Sequence, residues 1–467
     1  MHEPVLQNNP ETGEYVPGLA ESWEVSEDGT VWTFHLREDV EFSNGKPLTA
    51  EDFKYTYERA LDPDTQATYA KDALGPLDRV EVVDEHTYKL HYKTPFAPLR
   101  YYLFRREIYP VNREIVEERG EDFGTNPAGT ATGPYKFKKW NSGEEIVLVR
   151  NENYNWGASF FENQGPPHIE EIVFKVVPDT EVAAMGLNQG ELDAIDFLPS
   201  KEADSMMANP NIQVYQQNLP GIGLYSAFNI TKPPFDEVEV RKAANHAIDT
   251  ETIIEVVKYG HANKAHGPIP PFFFGFHDKL VDYYEYDPEK AKEILAEAGW
   301  EHQDGDGIRE KDGMELKGDF IVRSRNDYIL TAQLIKEMFK EVGIGLEMQI
   351  LEWGTLLDAI FSGKHNYTLM GHGSGEPDVV YDLFHSDNIG AFNLAHISDD
   401  DLDELIEQQR TATNTDERRE LLEEIQEYVM IEKALWVPIY NDVQPYPVRK
   451  RIQGLKMHPR GWFMPND

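Results

Sequence analysis

The chain has 467 residues, in which 84 Asp and Glu against 44 Lys and Arg give a formal net charge of −40. That charge repels nucleic-acid phosphates and anionic lipid, so nucleic-acid binding is disfavoured. The length suits two or three domains, no stretch reaches the roughly 18–20 apolar residues of a membrane helix, and the lack of cysteine excludes disulfides, thiol nucleophiles and thiolate metal sites.

Trp32, Phe34 and Leu36 alternate with Thr33, His35 and Arg37, the period-two pattern of a half-buried strand, and the turn dipeptide Asp28-Gly29 precedes them. Asn44-Gly45 marks a second turn, and Thr49 with Asp52 three residues later opens a helix. Val80 and Val82, then Tyr88, Leu90 and Tyr92, flank Asp84-Glu85-His86 as a hairpin. Residues 168–180 read as a strand and polar loop, residues 181–192 as a helix ending near Gly190, and residues 193–197 (DAIDF) as a buried strand. A helix runs from Arg241 to Ile248. Asp287 caps another that begins with Pro288, buries Ala291, Ile294, Leu295 and Ala298, and ends at Gly299. Ser398 and Thr415 each start a helix, the second striped by Leu421, Leu422, Ile425 and Val429, and residues 435–440 form a strand.

Several of these segments carry longer wording. The strand, turn and helix of WTFHLREDVEFSNGKPLTAEDF are followed by TATGPYKFKKW from Thr130, LNQGELD from Leu187, FNITKPPFDEVEVRKAANHAID from Phe228 and YDPEKAKEILAEAGW from Tyr286. In this order they resemble the family 5 (peptide/nickel, dipeptide/oligopeptide-type) extracytoplasmic solute-binding proteins, which deliver ligands to ABC importers. The resemblance implies an α/β fold of the type II (cluster C) periplasmic-binding-protein kind, with two α/β lobes around a ligand cleft plus an extra α+β subdomain. Residues 1–155 would form that subdomain, 156–258 with 444–467 lobe I, and 259–443 lobe II. It further implies capture of a di- or oligopeptide-like solute with hinge closure, no catalytic residue, no cofactor, a monomer, and permease and ATPase subunits as partners. The location implied is outside the cytoplasmic membrane, which is reached only through the transporter or a lipid anchor that this chain does not carry. Met1 is expected to be an internal start or fragment boundary, since the family's fold begins some tens of residues upstream.

The same resemblance assigns ligand contacts. Tyr225 and Asn229 match a strand of the ligand cleft, Trp353 of Glu352-Trp-Gly-Thr355 matches a pocket aromatic, and His372 stands nineteen residues on where the family has a second one. Read as residues alone, Trp353 is equally a core side chain and His372 a packed histidine. Peptide-binding relatives place an aspartate shortly afterwards for the ligand's amino end. Here Gly375 falls at that position in a loop about two residues shorter, so Glu376 or Asp378 is the expected source of the carboxylate. A pocket without one rejects free-amine peptides, because a buried unpaired ammonium costs several kcal/mol. Ile360 and Leu369 stand where some relatives have carboxylate-binding arginines.

Oligosaccharide or other non-peptide binding, and ligand sensing through a membrane receptor, stay open as alternatives. A hydrolase is the rival from another class, but no pair of carboxylates is singled out at a spacing that would flank one bond. Asp304-Gly-Asp306-Gly307 resembles part of a calcium loop, yet His302 and Gly313 occupy the outer ligand positions, so it reads as a surface turn. His261 and His266 have no metal-ligand spacing around them.

Overall fold

The computed structural model describes residues 1–10, 12–302, 307–457 and the short strand Phe463–Met464. Internal contacts divide the chain into two units, one of Met1–Pro199, Ala203–Tyr215 and Pro445–Asp467, the other of Ser200–Glu202 and Gln216–Gln444. Residues 216–258 therefore group with 259–444, whereas the family resemblance assigned them to the lobe of 156–215.

In the first unit a four-stranded antiparallel sheet has the order Ala20–Val25, Val31–Leu36, Thr87–Tyr92, Leu77–Asp84. The alternation of the Val31–Leu36 strand sends Trp32, Phe34 and Leu36 inward, opposite Leu90 and Tyr88 of the neighbouring strand. Helix Ala50–Leu61 covers that face, with Phe53 stacked on Tyr88 at 4.8 Å between ring centroids. Burying one such phenylalanine stabilises by about 2–3 kcal/mol. The helix starts where the sequence places it, because the Asp52 carboxylate accepts from both the backbone N–H and the hydroxyl of Thr49, at 3.0 Å each. A second antiparallel sheet joins Tyr135–Asn141, Glu145–Arg150 and Glu171–Lys175.

A seven-stranded mixed sheet lies mainly in the second unit, with residues 212–215 and 445–449 of its strands counted in the first. Its path is Ile212–Asn218, Trp436–Arg449, Ile222–Phe228, Tyr367–His372, Lys317–Arg323, Gly345–Leu351, with Ala262–Lys264 paired to Trp436–Arg449. Lys317–Arg323 runs parallel to both Gly345–Leu351 and Tyr367–His372, and Ile222–Phe228 runs antiparallel to its neighbours. Both faces are apolar. Phe320 and Val322 join a core with Val240, Ile335 and Phe339 on one side, while Ile321 and Met370 join Leu356, Ile406 and Leu422 on the other. Such double coverage buries the central strands Ile222–Phe228 and Tyr367–His372 along most of their length, whereas Gly345–Leu351 at the edge keeps exposed positions.

Caps follow the sequence closely. The Asp287 side chain accepts from the N–H of Lys290 at the start of helix Pro288–Glu297, and Gly190 ends helix Thr180–Gln189 with φ of 87°. Helix Thr415–Glu427 starts at Thr415 as expected, capped by Asn414, whereas the helix expected at Ser398 is capped by Asp399 and starts at Asp400. The DAIDF segment is corrected. It makes one isolated bridge, Ala194 to Val448, and leaves Phe197 61% exposed, so it is not a buried strand. The calcium-like turn at 303–306 lies outside the described residues. Among the described residues no helix is long and apolar enough to cross a membrane.

Candidate functional site

In open α/β sheets ligands sit off the carboxyl ends of parallel strands. In the second unit those ends are Arg323, Leu351 and His372, and helices Asn326–Val342 and Trp353–Phe361 begin just beyond the first two. Strand Ile222–Phe228 starts at the same edge, since Ile222 pairs with His372.

Arg323 is the informative side chain here. Its guanidinium carbon lies 4.3 Å from the ring centroid of Trp353 and 6.0 Å from that of Tyr328. Among the described residues no carboxylate stands within the 4 Å of an ion pair with it. Its neighbour Arg325 is different, clamped by Asp327 at 2.6 and 2.5 Å. Arg100 over Trp32 and Arg419 over Phe274 also face a ring, but neither belongs to the carboxyl edge of this sheet. A ring contact neutralises none of the charge.

The other sequence-assigned residues fall as follows. Trp353 opens its helix and is 39% exposed, which leaves a face of the indole accessible beside Arg323. Tyr225 is buried and stacks on Trp436 with centroids 3.6 Å apart and planes 10° from parallel. Its hydroxyl has no hydrogen-bond partner among the described residues, and burial holds it well above the usual tyrosine range. Such an orphan normally finds a water or a ligand. His372 is pushed down to about 4 by burial, so its ring is neutral at pH 7. Its Nδ1 accepts from the N–H of Ser374 at 3.3 Å, which leaves the proton on Nε2, 3.8 Å from Asp382.

Asn229 is buried with its amide already committed. Its Oδ1 accepts from the N–H and hydroxyl of Thr231, and its Nδ2 donates to the Gly363 carbonyl. That work fixes the end of a strand. Glu376 and Asp378 are also buried and committed. Glu376 pairs with Arg418 at 2.8 Å and accepts the N–H of Asp378, while Asp378 accepts from Gln409 at 2.6 Å and lies 3.1 Å from Arg410. The expectation that one of them offers a carboxylate to a ligand amine thus meets two carboxylates already neutralised within the protein. Ile360 and Leu369 are fully buried core residues. Arg323, Tyr328, Gln409, Arg410 and Arg418 are absent from the sequence assignment. An arginine ending the apolar run Phe320–Ile–Val322 was the one legible signal for Arg323.

A doubly covered mixed sheet with aromatic and cationic side chains collected at its carboxyl edge is the arrangement of an α/β solute-binding protein. The family model of bacterial extracellular solute-binding proteins, family 5 (middle), matches residues 14–391, and the chain belongs to that family. The heme-binding protein A of Haemophilus influenzae is 31% identical to it over 475 residues, spanning 96% of this chain and 82% of the relative. The dipeptide-binding protein of Escherichia coli is 28% identical over 478 residues, spanning 96% and 85%. The solved structure of HbpA2 from Haemophilus parasuis matches with a TM-score of 0.85 at 25% identity, covering 99% of this chain and 92% of that one.

Proposed function

We propose that the chain captures a di- or oligopeptide-like solute on the outer side of the cytoplasmic membrane and hands it unchanged to the permease and ATPase subunits of an ABC importer. The solute's carboxylate lies on Arg323, its adjoining apolar or planar part against Trp353, and its polar groups on the Tyr225 hydroxyl and the neutral ring of His372. Asn229, Glu376 and Asp378 serve by holding the strand end and loop around these contacts. The observation that carries this reading is the Arg323 guanidinium at the carboxyl edge of the sheet, which has aromatic rings for neighbours and, among the described residues, no acid within ion-pair distance. A ligand carboxylate supplies the missing charge through paired N–H bonds.

Family membership supports the transport role, while the relatives' names, a heme-binding and a dipeptide-binding protein, show that membership alone does not set the ligand. The test is a thermal-shift panel of trialanine, its N-acetyl form, its C-terminal amide and cellotriose, because a ligand that binds only the folded state raises the melting midpoint. Both peptides with a free carboxylate are expected to raise it and the amide is not. Equal stabilisation by the amide, or stabilisation by cellotriose alone, overturns the carboxylate reading. Mass spectrometry of the bound peptide is expected to recover it intact, and cleavage products would mark the chain as a hydrolase.

A further inference from the structure

The chain leaves the Tyr367–His372 strand through residues 373–378 and enters helix Val379–Phe384. This short loop holds two of the few buried acids, Glu376 at 2% and Asp378 at 8% exposure. Their partners come from the hairpin of helices Asp400–Thr411 and Thr415–Glu427 and close a ring of side chains. Glu376 Oε1 pairs with Arg418 Nη2 at 2.8 Å, and Arg418 Nε and Nη2 each donate to Gln409 Oε1 at 3.2 Å. Gln409 Nε2 donates to Asp378 Oδ1 at 2.6 Å, and the Asp378 N–H returns to Glu376 Oε2. Arg410 adds a second cation, with Nε 3.1 Å from Asp378 Oδ1 and its guanidinium carbon 3.9 Å from the Tyr381 ring centroid. Two carboxyl groups meet two guanidiniums, so the ring offers no surplus negative charge, and burial, the largest cause, raises the Asp378 carboxyl to about 7. Gln409, which is fully buried, spends its amide oxygen on Arg418 and its amide nitrogen on Asp378.

We propose that Arg410, Arg418 and Gln409 are specificity-determining residues for solute capture: they keep both carboxylates of the loop after His372 turned inward and neutralised, so the site selects solutes whose group at that end is uncharged rather than cationic. This rests on the reading that the solute lies at the sheet edge beside His372. A cationic amine brought there would be desolvated without a counter-charge, which costs several kcal/mol. An acylated or otherwise neutral nitrogen meets no such penalty.

The experiment is isothermal titration of the wild type, E376Q, D378N and R410Q with trialanine and N-acetyl-trialanine, with melting midpoints recorded alongside. The wild type is expected to bind the acetylated form at least tenfold more tightly. E376Q and D378N are expected to melt lower and to keep that preference. R410Q, which leaves Asp378 without its nearer guanidinium, is expected to shift the preference at least tenfold toward the free amine. A wild type that prefers the free amine, with the preference lost in E376Q or D378N, overturns the inference, because a carboxylate of the ring would then be the amine's partner. An unchanged preference in R410Q, or no binding of either peptide by it, also counts against the inference. A wild type that binds neither form refutes the peptide reading of the site instead, and R410Q alone then decides for the ring by gaining the free-amine peptide or failing to.

Discussion

Replacing Arg241 by methionine removes a cation that has no acid within ion-pair distance among the described residues. Arg241 lies in helix Val238–His246 at 3% exposure, and its guanidinium is satisfied by backbone alone. Nε and Nη2 donate to the Lys433 carbonyl at 2.9 and 2.7 Å, and Nη1 donates to Phe235 and Asp236 at 2.8 and 3.0 Å. Burial lowers its pKa to about 10, so it stays charged at neutral pH. Methionine fills the aliphatic stem but leaves three carbonyl oxygens without their donors. At about 1–3 kcal/mol for each stranded group, less the relief of no longer burying a charge, the cost is about 3–5 kcal/mol. For a unit of this size each kcal/mol moves the midpoint by about 2–4 °C, so calorimetry should show a drop of about 6–20 °C. Arg241→Lys keeps the charge but not the fork, and should fall between. A loss below about 1 kcal/mol in R241M would instead mean that this interior accepts a hydrophobe at the buried cation's place.

Gly223 and Gly354 make a matched pair. A Cβ at Gly223 would meet the Tyr440 carbonyl oxygen at 1.9 Å, whereas at Gly354 it meets nothing within 4 Å. Gly223→Ala should destabilise by 3 kcal/mol or more, in order-of-magnitude terms about the cost of an overpacked core, while Gly354→Ala inside its helix should stabilise by roughly 0.5–1 kcal/mol; urea titration reads both, and equal effects would contradict the packing. His365 is buried, its Nε2 lies 2.9 Å from the Leu394 carbonyl, and burial pushes it down to about 4. Its folded value lies below the unfolded one, so the stability it contributes is whole above pH 6.5 and is lost as pH falls toward 4. That is about 3 kcal/mol across the window. The stability difference between wild type and H365Q should shrink by about that amount from pH 7 to 4, and a constant difference would show that His365 does not carry the acid sensitivity.

Local signals were legible in the sequence wherever one residue's chemistry decides the outcome. The Asp52 and Asp287 caps, the glycine stop at Gly190 and the alternation of Trp32, Phe34 and Leu36 all stand where residue chemistry puts them. DAIDF misled because its apolar content matches a strand, whereas chain pairing there amounts to the single bridge at Val448. The Trp436–Arg449 strand is 14 residues long and reads as only six, because Pro445 and Pro447 lie in its second half and proline argues against a strand. For the residues assigned to ligand contact, place in the sheet was legible and side-chain partners were not. Trp353 and His372 do stand at the carboxyl edge, yet the cation beside Trp353 comes from a strand thirty residues earlier. The partners that neutralise Glu376 and Asp378 come from helices 31 or more residues later. No periodicity or motif reports which acid meets which base across such separations.

If Arg323 holds the solute's carboxylate, as proposed, titration calorimetry of wild type and R323Q with N-acetyl-trialanine and N-acetyl-trialanine amide will read that contact. Losing a charge-assisted paired contact of about 2–4 kcal/mol corresponds to about 30- to 1,000-fold in affinity. The wild type should bind the acid more tightly than the amide by a factor in this range, and R323Q should bind both weakly and alike with its melting midpoint nearly unchanged. Retention of the acid's advantage in R323Q would contradict the proposal and place the carboxylate on another residue.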